Sequence, residues 1–179
     1  MDLPFLAETF LRLLKGVPLT LQLVSISVFL GFWIAVVLAL MRMSKAVLLD
    51  RAARFYVFYF RGTPLLVQIF LIYYGLSQFA AIRESVLWPF LREPYWCAIL
   101  ALTLNTAAYG SEILRGGLQA VPWGQIEAGR AHGMSGLLLF RRIVGPIMLP
   151  QALPAYGNEI ILMVKGTSLT SIITLMEVT

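Results

Sequence analysis

From Val17 to Met41 the chain carries no charged side chain. Wound as a helix at 1.5 Å per residue, this stretch reaches about 37 Å, enough to cross a hydrocarbon core of about 30 Å with some tilt. It is too long for the apolar segment of a cleaved leader, and no small-residue cleavage site follows it. It reads as a true span. Hydrophobic residues make up 59% of the chain and charged residues 13%, against about 45–50% and 25% in soluble domains. A soluble core has nowhere to put so much apolar surface, so the expected fold class is all-α and polytopic.

Gly62 to Ile82 is a second uncharged stretch, extended backwards through the aromatic run Phe55, Tyr56, Phe58, Tyr59 and Phe60. Pro94 to Ser111 is a third. Ile143 to Val164 is a fourth, interrupted by Glu159 and carrying Pro146, Pro150 and Pro154 at four-residue spacing. Prolines so spaced share one helical face and remove three backbone donors. The expectation is a kinked or partly unwound helix, tolerated only against protein or a watery cavity. Four spans result. Thr167 to Thr179 is short and rich in hydroxyls, and is not read as a fifth.

Charge orients the spans. Arg42, Lys45, Arg51 and Arg54 stand against Asp50 alone, and Arg115, Arg130, Arg141 and Arg142 against Glu127 alone. Elsewhere the signs balance: Arg12 and Lys15 with Asp2 and Glu8, Arg83 and Arg92 with Glu84 and Glu93. The positive-inside rule places both basic loops in the cytoplasm and the N-terminus outside. A net charge of +5 is thus explained by membrane topology and does not point to nucleic acid.

Several chemistries are excluded. The single cysteine, Cys97, forms no intrachain disulfide and no multi-cysteine metal site, and the single histidine, His132, rules out two-histidine zinc motifs. The chain has no Gly-Lys dipeptide and so no P-loop. Active transport would therefore draw ATP from another chain, and no cofactor is expected here. A membrane-embedded hydrolase lacks the paired groups it would need.

The most informative stretch is VPWGQIEAGRAHGMSGLLLFRRIVGPIMLPQALP, from Val121 to Pro154. Ala128, Gly129, Ala131 and Gly133 are small, so another protein could approach the backbone closely. Glu127 is expected in the first turn of a short helix, where the helix dipole favours an acid. Helix connections usually run 2–8 residues, and one this long looks like a docking element.

This run resembles the EAA loop of ABC-transporter permeases, whose pattern is E-A-A-x3-G-x9-I-x-L-P. Here it reads Glu127, Ala128, Gly129, then Gly133, then Ile143 and Pro146, with Gly129 and Gly145 as departures. FRGTPLLVQ, LTLNTAAYGSEILRGGL and LPAYGNEIILMVKGTSL, beginning at Phe60, Leu102 and Leu153, are similar to the polar amino-acid branch (histidine, arginine, glutamine and opine types). The resemblance runs from about Val17 onward. It implies a single transmembrane permease domain over residues 1–179 in the bacterial inner membrane, of the type I importer fold. The family normally has five spans, so on that comparison the final span is missing. A cytoplasmic coupling helix at about 124–136 would place Glu127, Ala128, Gly129, Arg130, Gly133, Ile143 and Pro146 at the contact with the ATPase. The implied partners are an ATP-binding subunit dimer, a second permease subunit and a periplasmic solute-binding protein.

Inside the spans, a carboxylate needs a partner or a cavity, since a charge at mid-bilayer costs about 2.5–3.5 kcal/mol on insertion scales. Glu159, with Asn158 beside it, is a candidate lining of the substrate path; a bond to a neighbouring helix or to Lys165 is the alternative. On the path reading a cationic amino group or guanidinium is the fitting ligand. Gln68, Asn105 and Glu112 are further candidates for the path. Gln68 and Asn105 could equally join helices, and Glu112 could pair with Arg115. A different class of function, an ion-coupled carrier or channel with Glu159 as the ion site, explains the buried acid but leaves the docking loop without a role.

Overall fold

The computed structural model describes residues 3–170 and Ile173, with side chains from Gly16 onward, and it is helical without strands over those residues. The charges at Asp2, Glu8, Arg12 and Lys15, and most of the tail after Thr170, lie outside what it describes. Helix α1 runs Leu3–Met43 and α2 Val47–Gly62. Next, α3 (Leu65–Phe70) passes into a π turn, Leu71–Gly75. Two short helices, α4 (Ala80–Arg83) and α5 (Trp88–Leu91), lead to α6, Pro94–Gln119. Beyond it, α7 covers Trp123–Ala131 and α8 Gly136–Leu139. A π turn, Phe140–Val144, continues into α9, Gly145–Gly166, and a 3-10 turn ends at Thr170.

Three runs are long and apolar enough to cross a membrane: Gly16–Met43, Pro94–Gln119 and Gly136–Thr170. The stretch expected as one span from Gly62 to Ile82 is instead a bent pair, α2 and α3 with its π turn, meeting at 105°. The cause is local. Pro64 has no amide hydrogen and restricts the residue before it, and Thr63 is accordingly extended (φ −111°, ψ 140°). Helix ends at Gly62 and resumes at Leu65. The third span is longer than its uncharged core, reaching Gln119.

The fourth is longer than expected, and of the two outcomes foreseen for it, kinking and unwinding, the second does not occur. It starts at Gly136 and is helical throughout, including Pro150 and Pro154, and is not unwound. At four-residue spacing each proline's missing bond falls on the carbonyl of the turn before it, on the same face. The opposite face keeps its ladder.

α1, α6 and α9 form the core. Lipid tails are as apolar as leucine, so helices in a bilayer are held by close packing and interhelical hydrogen bonds. A Cβ on Gly31 of α1 would lie 2.6 Å from Thr106 Cγ2 of α6. One on Gly110 of α6 would sit 3.1 Å from Ala35 Cβ and 3.3 Å from the Tyr156 ring of α9. Only glycine lets the three axes come so near. Ser27 Oγ adds a buried bond to the Ile99 carbonyl.

Candidate functional site: a docking helix, an ion-paired collar and a buried carboxylate

Pro122, extended at ψ 130°, starts α7, so the helix begins at Trp123. Glu127 therefore stands beyond the first turn rather than in it, and the dipole argument for its position fails. Closure at the other end is specific. The Gly133 amide donates to the Arg130 carbonyl at 2.9 Å and the Met134 amide to the Gly129 carbonyl at 3.0 Å. Gly133 itself has φ +77°. That is a Schellman ending, which requires a left-handed residue that glycine adopts without steric penalty.

The small residues of α7 divide between two faces. Gly129 is buried, and a Cβ there would collide with Ile143 Cδ1 and lie 2.7 Å from Leu139 Cδ1. Gly129 and half-buried Ile143 thus clamp α7 onto the helix entering the membrane, while Glu127, Ala128, Arg130, Gly133 and Pro146 are exposed. Glycine at 129 tightens this contact. Trp123, which the sequence reading passed over, is 66% exposed and carries the Arg130 guanidinium 5.8 Å from its ring centroid. Exposed cation–π contacts of this kind contribute roughly 0.5–1 kcal/mol. Together with Leu137 they make the outer surface of the knob both charged and apolar.

Glu112 belongs to a collar of ion pairs. Arg42 of α1 reaches Asp50 of α2 at 3.3 Å and Glu112 of α6 at 2.5 Å. Arg115 holds the other Glu112 oxygen at 2.6 Å, and Arg54 holds Asp50 at 2.8 Å. The pairing with Arg115 is as the spacing predicts. Arg42 could not be foreseen from local spacing, since it lies seventy positions away.

Deeper in the protein, Glu159 is buried and lines a cavity of about 160 Å³ with Asn105, Tyr109, Leu65, Leu162 and Met163. Asn158, its neighbour in sequence, is exposed on another face of α9, and no salt bridge joins Glu159 to exposed Lys165 among the described residues. Arg61 lies 5.1 Å from the centroid of the Tyr109 ring. Tyr109 is one helical turn beyond Asn105, a spacing that could have flagged it.

Gln68 is used within the chain. Its amide donates to the carbonyls of Phe60 (2.8 Å) and Thr63 (3.0 Å) and to Thr63 Oγ1 (2.8 Å), and its oxygen accepts from Asn105 Nδ2 at 3.0 Å. These groups cap the carbonyls left bare where α2 ends and tie the bend to α6. Asn105 therefore joins the elbow to the cavity, whereas Gln68 serves the elbow. Ligand pockets usually measure about 300–1,000 Å³. This one, in a single chain, has room for the end of a ligand only.

Residues 27–178 match the family described as "Binding-protein-dependent transport system inner membrane component". The chain is 63% identical, over 98% of its length and 71% of the relative's, to the octopine transport system permease protein OccM of Rhizobium meliloti. To the arginine ABC transporter permease protein ArtM of Haemophilus influenzae it is 41% identical, over 93% of its length and 73% of that protein. A solved structure described as an amino acid ABC transporter with histidines superposes with a TM-score of 0.82 at 35% identity, covering 97% of this chain and 77% of that one.

Proposed function

The chain belongs to the family of binding-protein-dependent transport system inner membrane components and is a permease subunit of an ABC importer; from that premise we propose that it carries a basic amino acid or opine across the bacterial inner membrane. It works as one transmembrane domain beside a second permease subunit. Two ATPase subunits dock on the cytoplasmic side, and a soluble receptor delivers the cargo from outside. The observation that carries this reading is the knob: a short helix closed by Gly133, clamped to the membrane through Gly129 and Ile143, with Glu127, Ala128 and Arg130 facing outward. A rigid lever of this kind can transmit closure of an ATPase dimer to α9, which continues directly from the turn that holds Ile143. Nucleotide on one side and the loaded receptor on the other then bias a two-state, alternating-access equilibrium.

The substrate class rests on Glu159. A buried carboxylate beside an amide and a phenol favours a cationic group, and octopine and arginine, named for the relatives above, both carry a guanidinium. Uptake by the reconstituted complex, screened across basic, acidic and amide amino acids and opines, tests it. ATP-dependent uptake of guanidinium compounds, reduced at least tenfold in Glu159→Gln for loss of a charge-assisted bond of about 1.5–3 kcal/mol, is the expected result. Uptake by the chain in vesicles without an ATPase would instead favour an ion-coupled carrier with Glu159 as its ion site.

The knob has its own test. Gly133→Val puts a β-branched residue at φ +77° and should disrupt the Schellman ending. Membrane insertion and chain yield are expected to hold while uptake collapses and ATP hydrolysis no longer responds to the loaded receptor. Normal uptake from this variant would remove α7 from the mechanism.

A further inference from the structure

A second recess, remote from Glu159, lies on the flank where α1 and α6 meet the short helices. It measures about 620 Å³ and is lined by Leu30 and Trp33 of α1, Phe90 and Leu91 of α5, and Trp96 and Leu100 of α6. Thr103 at its floor is the one residue with a polar side chain beyond the indoles. From Trp96 to Thr103 it follows α6 for about 10 Å, within the depth of one leaflet, about 15 Å of hydrocarbon. Its length and apolar lining suit part of a lipid acyl chain.

The mouth supplies the second observation. Leu91 of the recess also lines a smaller notch of about 230 Å³ that includes Ser77, Trp88 and Arg92. Arg92 stands 3.5 Å from Glu93, and both are more than half exposed where α6 begins. A cation and an anion side by side complement a headgroup that carries a phosphate and an amine. A purely anionic headgroup would gain Arg92 but face Glu93.

We propose that this groove holds one phospholipid with an amine-bearing zwitterionic headgroup, its phosphate on Arg92, its ammonium on Glu93, and an acyl chain along Trp96, Leu100 and Trp33. The lipid would brace α5 and the loop before α6 against the core.

Trp33 and Trp96 report on occupancy directly. In proteoliposomes of the full chain, phosphatidylethanolamine brominated on its acyl chains should quench tryptophan emission about threefold more than brominated phosphatidylglycerol at equal mole fraction, the scale of the one exposed ion pair, ammonium to Glu93, that only the first can form. Glu93→Gln should bring the ratio to about one, because both headgroups then meet only Arg92. The paired variant Trp33→Phe, Trp96→Phe should weaken the reported preference, leaving only what Trp88 senses at the notch. Equal quenching by the two lipids in the wild-type chain would overturn the proposal. So would a preference that survives Glu93→Gln, or one undiminished when only Trp88 and Trp123 are left to report it.

Discussion

α1 and α9 both cross the core and both leave half their surface uncovered, yet the uncovered halves differ in kind. Between Phe29 and Leu40, α1 exposes Phe29, Leu30, Phe32, Trp33, Val37 and Leu40. Every one is apolar, its only internal proline, Pro18, lies at the edge of the uncharged run, and lipid can cover this face as it stands. On α9 the outward side carries Pro150, Pro154 and Ile161, flanked by Gln151, Asn158 and Lys165, all exposed. The last three are seven residues apart and so share a stripe. Beside them, each internal proline strips a donor from the carbonyl four residues earlier. Bare carbonyls and amides at membrane depth are tolerated only against protein or water. One exposed face is finished for the bilayer and the other is not.

The sharpest way to break that contrast is to place an acid on each helix. Val37→Asp puts a carboxylate on the α1 surface and should cost about 2.5–3.5 kcal/mol of insertion free energy, with yield and membrane integration falling together. Ile161→Asp, at the same 55% exposure on α9, should cost well under half of that, about 1 kcal/mol or less, because water or a partner chain can solvate it. Membrane-insertion assays on the two variants measure both. Equal penalties would mean that α9 faces lipid after all.

A smaller effect sharpens the same comparison. Where this chain bares backbone in its own interior, at the end of α2, it supplies a cap: Gln68 satisfies the Phe60 and Thr63 carbonyls. On α9, Thr167 and Ser168 cap the Val164 and Lys165 carbonyls at its end, but among the described hydrogen bonds no side chain covers the Pro146 and Pro150 carbonyls that its prolines bare. Gln68→Leu keeps the volume and removes the donors, so it should destabilise the fold by about 1–3 kcal/mol, the cost of leaving buried acceptors unmade. Thermal unfolding in detergent would show it. Gln68→Glu loses the donors as well and should not rescue. If Gln68→Leu melts with the wild type, the elbow is not held by this side chain.

The contrast also marks how far the sequence could be read. The apolar spans and the intramembrane acid follow from charge and hydropathy, which are local properties, and the loop around residue 130 stands out by its length and its small residues. The 105° elbow was half visible: Pro64 signals a helix start, but the fold of the preceding aromatic run depends on Tyr56 Oη reaching the Leu104 carbonyl at 2.8 Å, a tertiary contact. Asn158 was grouped with Glu159 by adjacency, although neighbouring helical residues are separated by about 100°, and the structure puts them on different faces. Gly129 looked like a place for a foreign surface to approach. Its actual neighbours, Leu139 and Ile143, come from the same chain. In each case the residue type was informative and the direction in which it points was set by packing.

The prolines of α9 give the finest test, since they are the reason that its outer face is unfinished. Pro154→Ala restores an amide that can bond the Pro150 carbonyl, a gain of about 1 kcal/mol, and the helix is already formed there. Stability should therefore rise slightly, seen as a melting temperature a few degrees higher in detergent. If the bare carbonyl is part of a surface that water or a partner must meet, uptake by the complex should fall even as the subunit becomes more stable. A helix that merely tolerates its proline would give the higher melting temperature with uptake unchanged. That outcome would reduce the α9 stripe to its polar side chains, Gln151, Asn158 and Lys165, and leave the carbonyls without a part in transport.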